Sequence, residues 1–511
     1  MSTRLRRVLI AVLCAALVWQ VWQHGVRGGR AAPLAAIAPA APDVLHVGRL
    51  QLEPCTIGAR RTGVPTLAAY CARFTVPEDW DAPGGRQIDL KVAMLGASSA
   101  APDPDPVVFL DGGPGGAASE DFPAIAPAFE LLRRRHRVLL LDQRGTGGSN
   151  ALDCQDSQPM PAGARADVGA QQERLQACVA RLAARAAPQF YTTSVAVRDL
   201  EALREALGGA RLNLLGISYG TRVAQQYARR YPQAVRTVVL DSAVPNELAL
   251  GAEHARNLED ALRALAARCR ADADCARAYG DPYALLQRVQ ARLRAQPQTL
   301  SLRDPYTFAQ TEQQIDAAQL AQLVRFYAYN PVTAALIPYV LREAEAARYA
   351  PLLGQTQLVV GELADHLDNG MALSVICSED VDLLRTRPED ADTLLGNDLL
   401  ESVQSACRSW PHGKRPADFH EPLHSALPVL LLAGENDPVT PPRYAQAIAR
   451  TLTHARVLTL RGQGHGLVGV GCVPRLLEEF VRQADPAALD VHCLQQLGPT
   501  PAFLDANGAG P

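Results

Sequence analysis

The chain has 511 residues, of which 48% are hydrophobic, and its 50 Lys plus Arg against 53 Asp plus Glu leave a formal net charge of -3. This hydrophobic fraction excludes an intrinsically disordered chain. No block of basic residues is present, so the charge pattern excludes a nucleic-acid-binding protein of the usual kind. The length suffices for two or three domains, or for one enlarged domain.

The N-terminus has the pattern of an export signal. Arg4, Arg6 and Arg7 precede an apolar run at residues 8–22, and an Ala- and Pro-rich stretch follows. The run is short for a membrane-spanning helix, which needs about 20 apolar residues, so we interpret residues 1–44 as a signal peptide with a spacer. An uncleaved membrane anchor stays an alternative, because no single cleavage site stands close behind the run. The sequence predicts an exported protein, periplasmic or secreted.

The cysteines support export. Of the 11 cysteines, Cys14 lies inside the predicted signal, and an even number remains. Even counts in an oxidising compartment indicate disulfides, whereas C-x-x-C motifs and histidine clusters at metal-ligand spacing are missing from the sequence. Sequence alone leaves the connectivity open. If neighbours pair, the bridges are Cys55–Cys71, Cys154–Cys178, Cys269–Cys275, Cys377–Cys407 and Cys472–Cys493.

Apolar runs that end in glycine-bearing turns are predicted strands: PVVFLDGGPGG from Pro106, HRVLLLDQRGTGGS from His136, LNLLGISYG from Leu212 and RTVVLDSAVP from Arg236. Each run is continuous, as expected for a strand that is covered on both faces. Helical patterns lie between them, such as SVAVRDLEALREALGG, which ends on a glycine pair. This alternation predicts an α/β fold with a mostly parallel, doubly wound sheet.

The pattern changes at residues 246–424, where Ala, Leu and Arg recur at helical spacing, and strand signals return in LPVLLLAGENDPVTPP and ARVLTLRGQGHG. We therefore predict residues 45–245 as the first part of a core and residues 246–424 as a mostly helical cap inserted into it. Residues 425–485 are the second part of the core, and residues 486–511 are a C-terminal tail.

The segment GISYG, residues 216–220, joins a predicted strand to a predicted helix without a loop. In a G-x-S-x-G turn the serine has a strained backbone, and its neighbours are glycines because the strand and the helix crowd each other. The hydroxyl group is then exposed above the strand end, beside the positive end of the helix dipole. We predict that Ser218 is a nucleophile.

A nucleophilic serine needs a base, and the base needs an orienting acid. Asp437 follows the apolar run VLLLAG, and His465 follows the next predicted strand. Ser218, Asp437 and His465 thus come in the chain order of α/β-hydrolases, each after a predicted strand. Two alternatives stay open for the acid, because Asp437 could be a turn residue ahead of Pro438 and Asp241 also follows a strand.

Attack on a carbonyl also needs donors for the oxyanion, and one donor is worth roughly 3 to 4 kcal/mol in known cases. The backbone N–H of Tyr219 is one expected donor. We expect the other in the loop DGGPGG, residues 111–116, and choose Gly113. The alternative for this loop is a plain glycine turn.

Five motifs, GGPGG, DQRGTGGS, GISYGT, GENDPVTP and GQGHG, together resemble the proline iminopeptidase and tripeptidyl aminopeptidase group of α/β-hydrolases. The resemblance covers about residues 50–245 and 425–475. It implies a serine exopeptidase that removes residues from a free peptide N-terminus, with a helical cap over the sheet. The sequence departs from the group at Asp111, where histidine is frequent, and in the divergent cap.

An aminopeptidase must hold the ammonium group of its substrate, and in a closed pocket a carboxylate offsets the cost of desolvating it. SVICSEDVDLL places Glu379 and Asp380 beside Cys377 and resembles a cysteine-plus-acid segment of the exported members. We expect these acids to bind the substrate N-terminus. The alternative is a helix-start role, since acids favour the first turn of a helix.

The sequence therefore predicts an exported serine aminopeptidase that releases one to three residues through an acyl-enzyme, with no metal or organic cofactor. Its expected partner is a peptide with a free N-terminus, with no nucleic acid and with a membrane contact only through an uncleaved anchor. An esterase or other acyl hydrolase is the alternative, because a serine triad does not itself choose amide over ester. A non-catalytic binding protein is less favoured, because such proteins commonly lose a triad member.

Overall fold

The computed structural model describes residues 44–58, 66–154, 168–303, 308–356 and 369–509. The predicted signal segment and spacer lie outside the described residues, except for residue 44. Within these ranges, no helix combines the length and the apolar character needed to cross a membrane.

The strands of the described residues are β1 (Leu45–Val47), β2 (Leu50–Ile57), β3 (Leu67–Pro77), β4 (Gln87–Leu95), β5 (Val107–Leu110), β6 (Val138–Leu141), β7 (Leu212–Ile217), β8 (Val235–Asp241), β9 (Gln298–Arg303), β10 (Gln310–Ile315), β11 (Val429–Gly434) and β12 (Ala455–Leu460). Ten of them form one sheet with the order β1-β2-β3-β4-β6-β5-β7-β8-β11-β12, and β9 and β10 form a separate hairpin.

The six strands predicted from the apolar runs are neighbours, and they all run parallel: β6, β5, β7, β8, β11 and β12. Strands β1 to β4, which we did not predict individually, add an antiparallel extension through β4 and β6. The predicted mostly parallel α/β sheet is confirmed. Because parallel strands end at one edge of a sheet, the residues that follow β5, β7, β8, β11 and β12 share that edge.

The helices are α1 (Ala118–Ile125), α2 (Val168–Ala183), α3 (Thr193–Ala206), α4 (Tyr219–Arg230), α5 (His254–Ala271), α6 (Ala273–Tyr279), α7 (Pro282–Ala295), α8 (Ala317–Tyr327), α9 (Pro331–Glu345), α10 (Asn369–Glu379), α11 (Asp398–Cys407), α12 (Pro442–Ala449) and α13 (Val473–Gln483). Residues 350–356 are also helical. Helix α3 begins one residue before the predicted pattern, with the Thr192 side chain accepting a hydrogen bond from the Val195 N–H. It ends before the predicted glycine pair, Gly208 and Gly209, which have positive φ.

Both faces of the parallel sheet are covered, which explains why its strands are continuously apolar. In β5, Val108 and Leu110 belong to the core shared with α3 and α4, whereas Val107 and Phe109 belong to the core shared with α1 and α13. Successive side chains of a strand point to opposite faces, so a strand with helices on both sides needs an apolar residue at every position.

Between β8 and β11 the chain forms α5 to α11 and the β9–β10 hairpin. Several of these elements share a hydrophobic core that includes Leu258, Leu285, Leu320, Ile337 and Leu352. The hairpin was not predicted; its strand β9 alternates half-buried and exposed residues within a helix-rich stretch. The proposed division of the chain into core, cap and tail at these boundaries stays a prediction.

The five disulfides join the cysteines that are neighbours in sequence, as the conditional pairing predicted. Cys377–Cys407 links α10 to α11, and Cys472–Cys493 links the start of α13 to the C-terminal segment. Five bridges are typical of a protein that folds in an oxidising compartment.

Removing the Cys377–Cys407 bridge should destabilise the protein more than removing the Cys269–Cys275 bridge. The separations are 30 and 6 residues, and loop-closure entropy then gives losses of about 3.5 and about 2 kcal/mol in the free energy of unfolding. Urea unfolding of a Cys377→Ser, Cys407→Ser variant, with Cys269→Ser, Cys275→Ser as its control, measures both losses. An equal or larger loss for the short loop would contradict this expectation.

Candidate active site

Ser218 stands between β7 and α4 with φ 55° and ψ -122°, a conformation that residues with a side chain rarely adopt. Crowding at the turn explains the glycines around it. A Cβ atom on Gly216 would lie 2.4 Å from the Gly220 carbonyl oxygen, and one on Gly220 would lie 2.0 Å from the Leu110 carbonyl oxygen at the end of β5. The turn therefore has the geometry of a nucleophile elbow, with the serine at its corner.

Asp437 and His465 are in direct contact. The His465 Nδ1–H donates to Asp437 Oδ2 at 2.8 Å. The second carboxylate oxygen, Oδ1, accepts the N–H groups of Val439 and Thr440, each at 2.8 Å. Asp437 therefore orders its own turn and also binds the histidine, so the two alternatives from the sequence are both realised by one side chain.

Electrostatics favour the charged carboxylate and an imidazole that readily takes a proton. Burial by itself raises the pKa of Asp437 and lowers that of His465. The attraction and hydrogen bond between the two groups outweigh burial, so the pKa of Asp437 lies below its ordinary value and the pKa of His465 above its ordinary value. With Nδ1 donating to Asp437, the neutral ring presents Nε2 as a proton acceptor.

Asp241, the rival for the acid role, has different partners. Its Oδ2 accepts the N–H groups of Leu467 at 2.6 Å and of Val468 at 2.9 Å. Burial raises the pKa of Asp241 to about 6. The structure thus gives Asp437, and not Asp241, the contact with His465 Nδ1, whereas Asp241 holds the loop that follows the histidine.

Residues 241 and 242 also connect the serine turn to the histidine loop. The Ser218 N–H donates to the Asp241 carbonyl oxygen at 2.9 Å, and the Gly466 N–H donates to Ser242 Oγ at 2.9 Å. No hydrogen bond joins the Ser218 hydroxyl group to His465 in the described part of the chain. Such bonds are often long before substrate binds.

The glycine loop lies against the serine. A Cβ atom on Gly112 would be 3.3 Å from the Cβ of Ser218. The Gly112 N–H donates to Asp111 Oδ1 at 2.7 Å, whereas the N–H groups of Gly113 and Tyr219 donate to no group among the described residues. The amide of Tyr219, at the start of α4, has no partner within its own helix. Both predicted oxyanion donors are therefore available.

Asp111, where the sequence departs from the resembling family, orders the loop by accepting the Gly112 N–H with its carboxyl group. Burial and the neighbouring Asp121 raise the pKa of Asp111 well above its ordinary value. Desolvation and the neighbouring acid thus both disfavour a negative charge on Asp111, at the start of the glycine loop.

Glu379 and Asp380 have protein partners that do not fit the expected contact with a substrate ammonium group. Both side chains are fully buried. Glu379 accepts hydrogen bonds from the Thr193 N–H at 2.6 Å and from the Thr193 hydroxyl group at 2.8 Å, and Asp380 forms an ion pair with Arg222 at 2.9 Å. The helix-start alternative fails as well, because Glu379 is the last residue of α10.

These acids instead contact residues that stabilise the serine turn and helix α4. Thr193 Oγ1 lies 2.7 Å from the hydroxyl oxygen of Tyr219, so Glu379, Thr193 and Tyr219 form a chain of hydrogen bonds. Burial, with a smaller contribution from Asp380, raises the pKa of Glu379 to about 8. Glu379 therefore links α10 to the residue whose backbone amide is a predicted oxyanion donor.

Sequence reasoning missed two residues that lie close to His465. The Tyr329 carbonyl oxygen accepts the His465 N–H at 2.7 Å, and the two rings lie 5.1 Å apart at an interplanar angle of 66°. His254 opens α5, and burial together with the charges of Arg325 and His465 lowers its pKa to about 3, so it is neutral. Neither residue belongs to a motif, and nothing in the sequence pattern marked them.

A model of the alpha/beta hydrolase fold matches residues 105–471, which span the glycine loop, the elbow and both loops that carry the Asp437–His465 pair. The chain belongs to the alpha/beta hydrolase fold family. In the described residues, no group of three or more His, Cys, Asp or Glu side chains is arranged to hold a metal ion.

Relatives of this hydrolase include peptidases. It is 28% identical over 467 residues to a tripeptidyl aminopeptidase of Streptomyces coelicolor, and this match covers 84% of each chain. It is 31% identical over 246 residues to the serine protease Hip1 of Mycobacterium bovis, and this match covers 44% of this chain and 46% of that protein. A solved proline iminopeptidase of Mycobacterium smegmatis is 18% identical with a TM-score of 0.41, over 82% of this chain and 100% of that chain. The matches to curated relatives confirm the resemblance drawn from the motifs, and the hydrolase is a serine hydrolase of the peptidase type.

We expect kcat/KM to rise with pH, because only neutral His465 can accept the proton of Ser218. The midpoint of this rising limb of the pH profile should lie above 6.5, the ordinary pKa of histidine. Asp437→Asn removes the attraction that raises the pKa of His465. The limb should then move to lower pH, and kcat should fall about ten-thousand-fold, because the ring is no longer held in the correct tautomer.

The pH profiles of a peptide coumarylamide substrate measure this effect, and Asp241→Asn is the matched comparison. Asp241→Asn leaves the Asp437–His465 bond in place and should lower kcat far less. A larger loss and a larger shift of the limb for Asp241→Asn than for Asp437→Asn would show that the acid has been assigned to the wrong residue.

Proposed function

We propose that this hydrolase is a serine aminopeptidase that cleaves peptide bonds near a free N-terminus and releases one to three residues. The observation that carries the proposal is the similarity to a tripeptidyl aminopeptidase over 84% of both chains. The geometry supports this chemistry, since Ser218 lies at the corner of the turn, His465 is bonded to the buried Asp437, and the amides of Tyr219 and Gly113 donate to no group in the described part of the chain.

In the first half of the reaction, neutral His465 takes the proton of Ser218, and the serine oxygen attacks the scissile carbonyl carbon. The resulting oxyanion accepts hydrogen bonds from the N–H groups of Tyr219 and Gly113, and Asp437 stabilises the imidazolium that forms. His465 then gives its proton to the nitrogen of the departing amine, the C–N bond breaks, and the N-terminal fragment remains as an ester on Ser218.

In the second half, His465 takes a proton from water, and the hydroxide formed attacks the ester carbonyl. The same amides hold the second oxyanion. His465 returns the proton to the Ser218 oxygen as the ester bond breaks, and the N-terminal fragment leaves with a new carboxyl group. The residues of this chain thus perform each proton transfer of the cycle.

The elements between β8 and β11 support a preference for chain ends. Tyr329 and His254 come from these elements and lie close to His465. A covered site admits a peptide terminus more easily than the middle of a folded chain. We assign no ammonium-binding role to Glu379 and Asp380, because Glu379 is hydrogen-bonded to Thr193 and Asp380 is paired with Arg222.

We also propose that the mature enzyme works outside the cytoplasm, in the periplasm or as a secreted protein, or tethered by its N-terminal segment. Its five disulfides support this location, because structural bridges persist in oxidising compartments.

A tripeptidyl coumarylamide with a free N-terminus should be hydrolysed, whereas its N-acetylated counterpart should show a kcat/KM lower by about 100-fold or more. Acetylation removes a charged hydrogen-bond donor from the end of the substrate, and losing the hydrogen bonds of such a group costs about 3 kcal/mol. Mass spectrometry of the products reports how many residues leave. Equal hydrolysis of both substrates, or hydrolysis of simple esters alone, would contradict an aminopeptidase.

The control for contaminating peptidases is a pair of serine variants. Ser218→Ala should lower kcat by about a million-fold. Ser98→Ala should leave it unchanged, because Ser98 follows β4, whose end pairs with the start of β6 at the opposite edge of the sheet.

A further inference from the structure

A cavity of about 400 Å³ lies beside the loops that carry the Asp437–His465 pair. Its lining includes Arg268 of α5, Asn436 and Gly464, together with residues of α9 and the segment 499–502. Among the described residues, neither Ser218 nor the glycine loop contributes to this lining. The cavity is therefore separate from the place where the acyl-enzyme forms.

Two polar side chains in the lining of this cavity, Arg268 and Asn436, are bonded to each other. Arg268 Nη1 donates to Asn436 Oδ1 at 2.7 Å, which fixes the orientation of the amide group. Asn436 Nδ2 is then a donor, it is buried, and it reaches no acceptor in the described part of the chain. Asn436 thus holds Arg268 in place through its carbonyl oxygen.

Arg268 is a cation without an anionic partner at contact distance. Across the described ranges, it forms no ion pair within 4.0 Å. Burial lowers the pKa of Arg268, and the attraction of Glu435 only partly opposes this effect; the Glu435 carboxylate itself accepts the Gly462 N–H at 2.7 Å. Arg268 is a half-buried cation that no carboxylate of the described residues contacts, and a bound anion would offset the cost of its partial desolvation.

The remaining walls are mostly apolar and small. They include Leu265, Ala328, Ala334, Ala335 and Pro338. The one carboxylate in the lining, Asp272, is exposed and caps α6 by accepting the N–H groups of Asp274 and Cys275. An occupant would therefore combine one anionic group with an uncharged apolar body.

We propose that this cavity is a second ligand site, which binds a small carboxylate with an apolar body. The Arg268 guanidinium group donates to the carboxylate oxygens, and charge-assisted bonds of this type are among the stronger ones in proteins. The apolar body packs against the alanine and proline side chains of α9. Because Asn436 precedes Asp437 and Gly464 precedes His465, the ligand contacts both loops that hold the catalytic pair.

The test measures binding of N-acetyl-L-leucine by calorimetry to the Ser218→Ala protein, in which the nucleophile is absent. Saturable binding is expected, and the neutral N-acetyl-L-leucinamide should bind at least about tenfold more weakly, because it lacks the charge that pairs with Arg268. This measurement requires no turnover, so its result is independent of the proposed aminopeptidase activity.

Two further variants locate the site. Adding Arg268→Gln should weaken binding of N-acetyl-L-leucine at least about tenfold, whereas Arg270→Gln, which removes the same charge from the same helix outside the cavity, should leave it unchanged. Ala334→Phe should also abolish binding by filling the cavity, while the Arg268–Asn436 pair stays intact. Thermal melting of each variant verifies that it folds.

A lack of saturable binding in the millimolar range would overturn the proposal. So would equal binding of the acid and its amide, or binding that both Arg268→Gln and Ala334→Phe leave unchanged.

Discussion

The catalytic geometry depends on how closely backbone segments approach each other at the C-terminal edge of the parallel strands. Gly220 contacts the end of β5 so tightly that a Cβ atom would lie 2.0 Å from the Leu110 carbonyl oxygen. Gly434, at the end of β11, is in the same situation, since its Cβ atom would lie 1.8 Å from the Gly464 carbonyl oxygen. A side chain at either glycine would push a catalytic loop away from its partners. Close packing of the backbone at these glycines therefore fixes the positions of the serine turn and the histidine loop.

Two buried aspartates at this edge show how local partners decide chemical roles. Both Asp437 and Asp241 are buried, and desolvation raises the pKa of each carboxyl group. Asp437 also has the hydrogen-bonded imidazole of His465, and its pKa ends below the ordinary value. Asp241 is bonded mainly to neutral donors, and its pKa stays raised, at about 6. The first is suited to stabilise an imidazolium during proton transfer, and the second is suited to fix a loop.

Much of the fold could be predicted because the parallel strands carry a strong signal. Strands such as β11, VLLLAG, are apolar at every position, and each ends at a glycine or a polar turn. Strand β4 was missed as a separate element, although Ile88, Leu90 and Val92 alternate with polar residues in its first part. The β9–β10 hairpin carries many polar side chains and lies among helices, so its pattern was weak.

Chain order and strand ends carried information about part of the candidate site, since the structure brings the predicted Asp437 and His465 into contact and places Ser218 at the predicted turn. The site was not predictable where roles depend on packing between distant segments. Glu379 binds Thr193, which is 186 positions away, and nothing in the local sequence of either residue indicates this contact. Tyr329, between α8 and α9, contacts the histidine loop through its carbonyl oxygen, which accepts the His465 N–H. Such contacts depend on how the inserted helices dock, which the local pattern does not specify.

The most direct test of the triad is the reaction of the folded protein with a fluorophosphonate, followed by peptide mapping. This reagent modifies a serine only when a neighbouring base activates it. We expect a single adduct on Ser218, and we expect His465→Ala to lower the labelling rate by about a thousand-fold or more while the protein remains folded. An unlabelled Ser218, or equal labelling of the wild-type protein and the folded His465→Ala variant, would contradict a serine activated by that histidine.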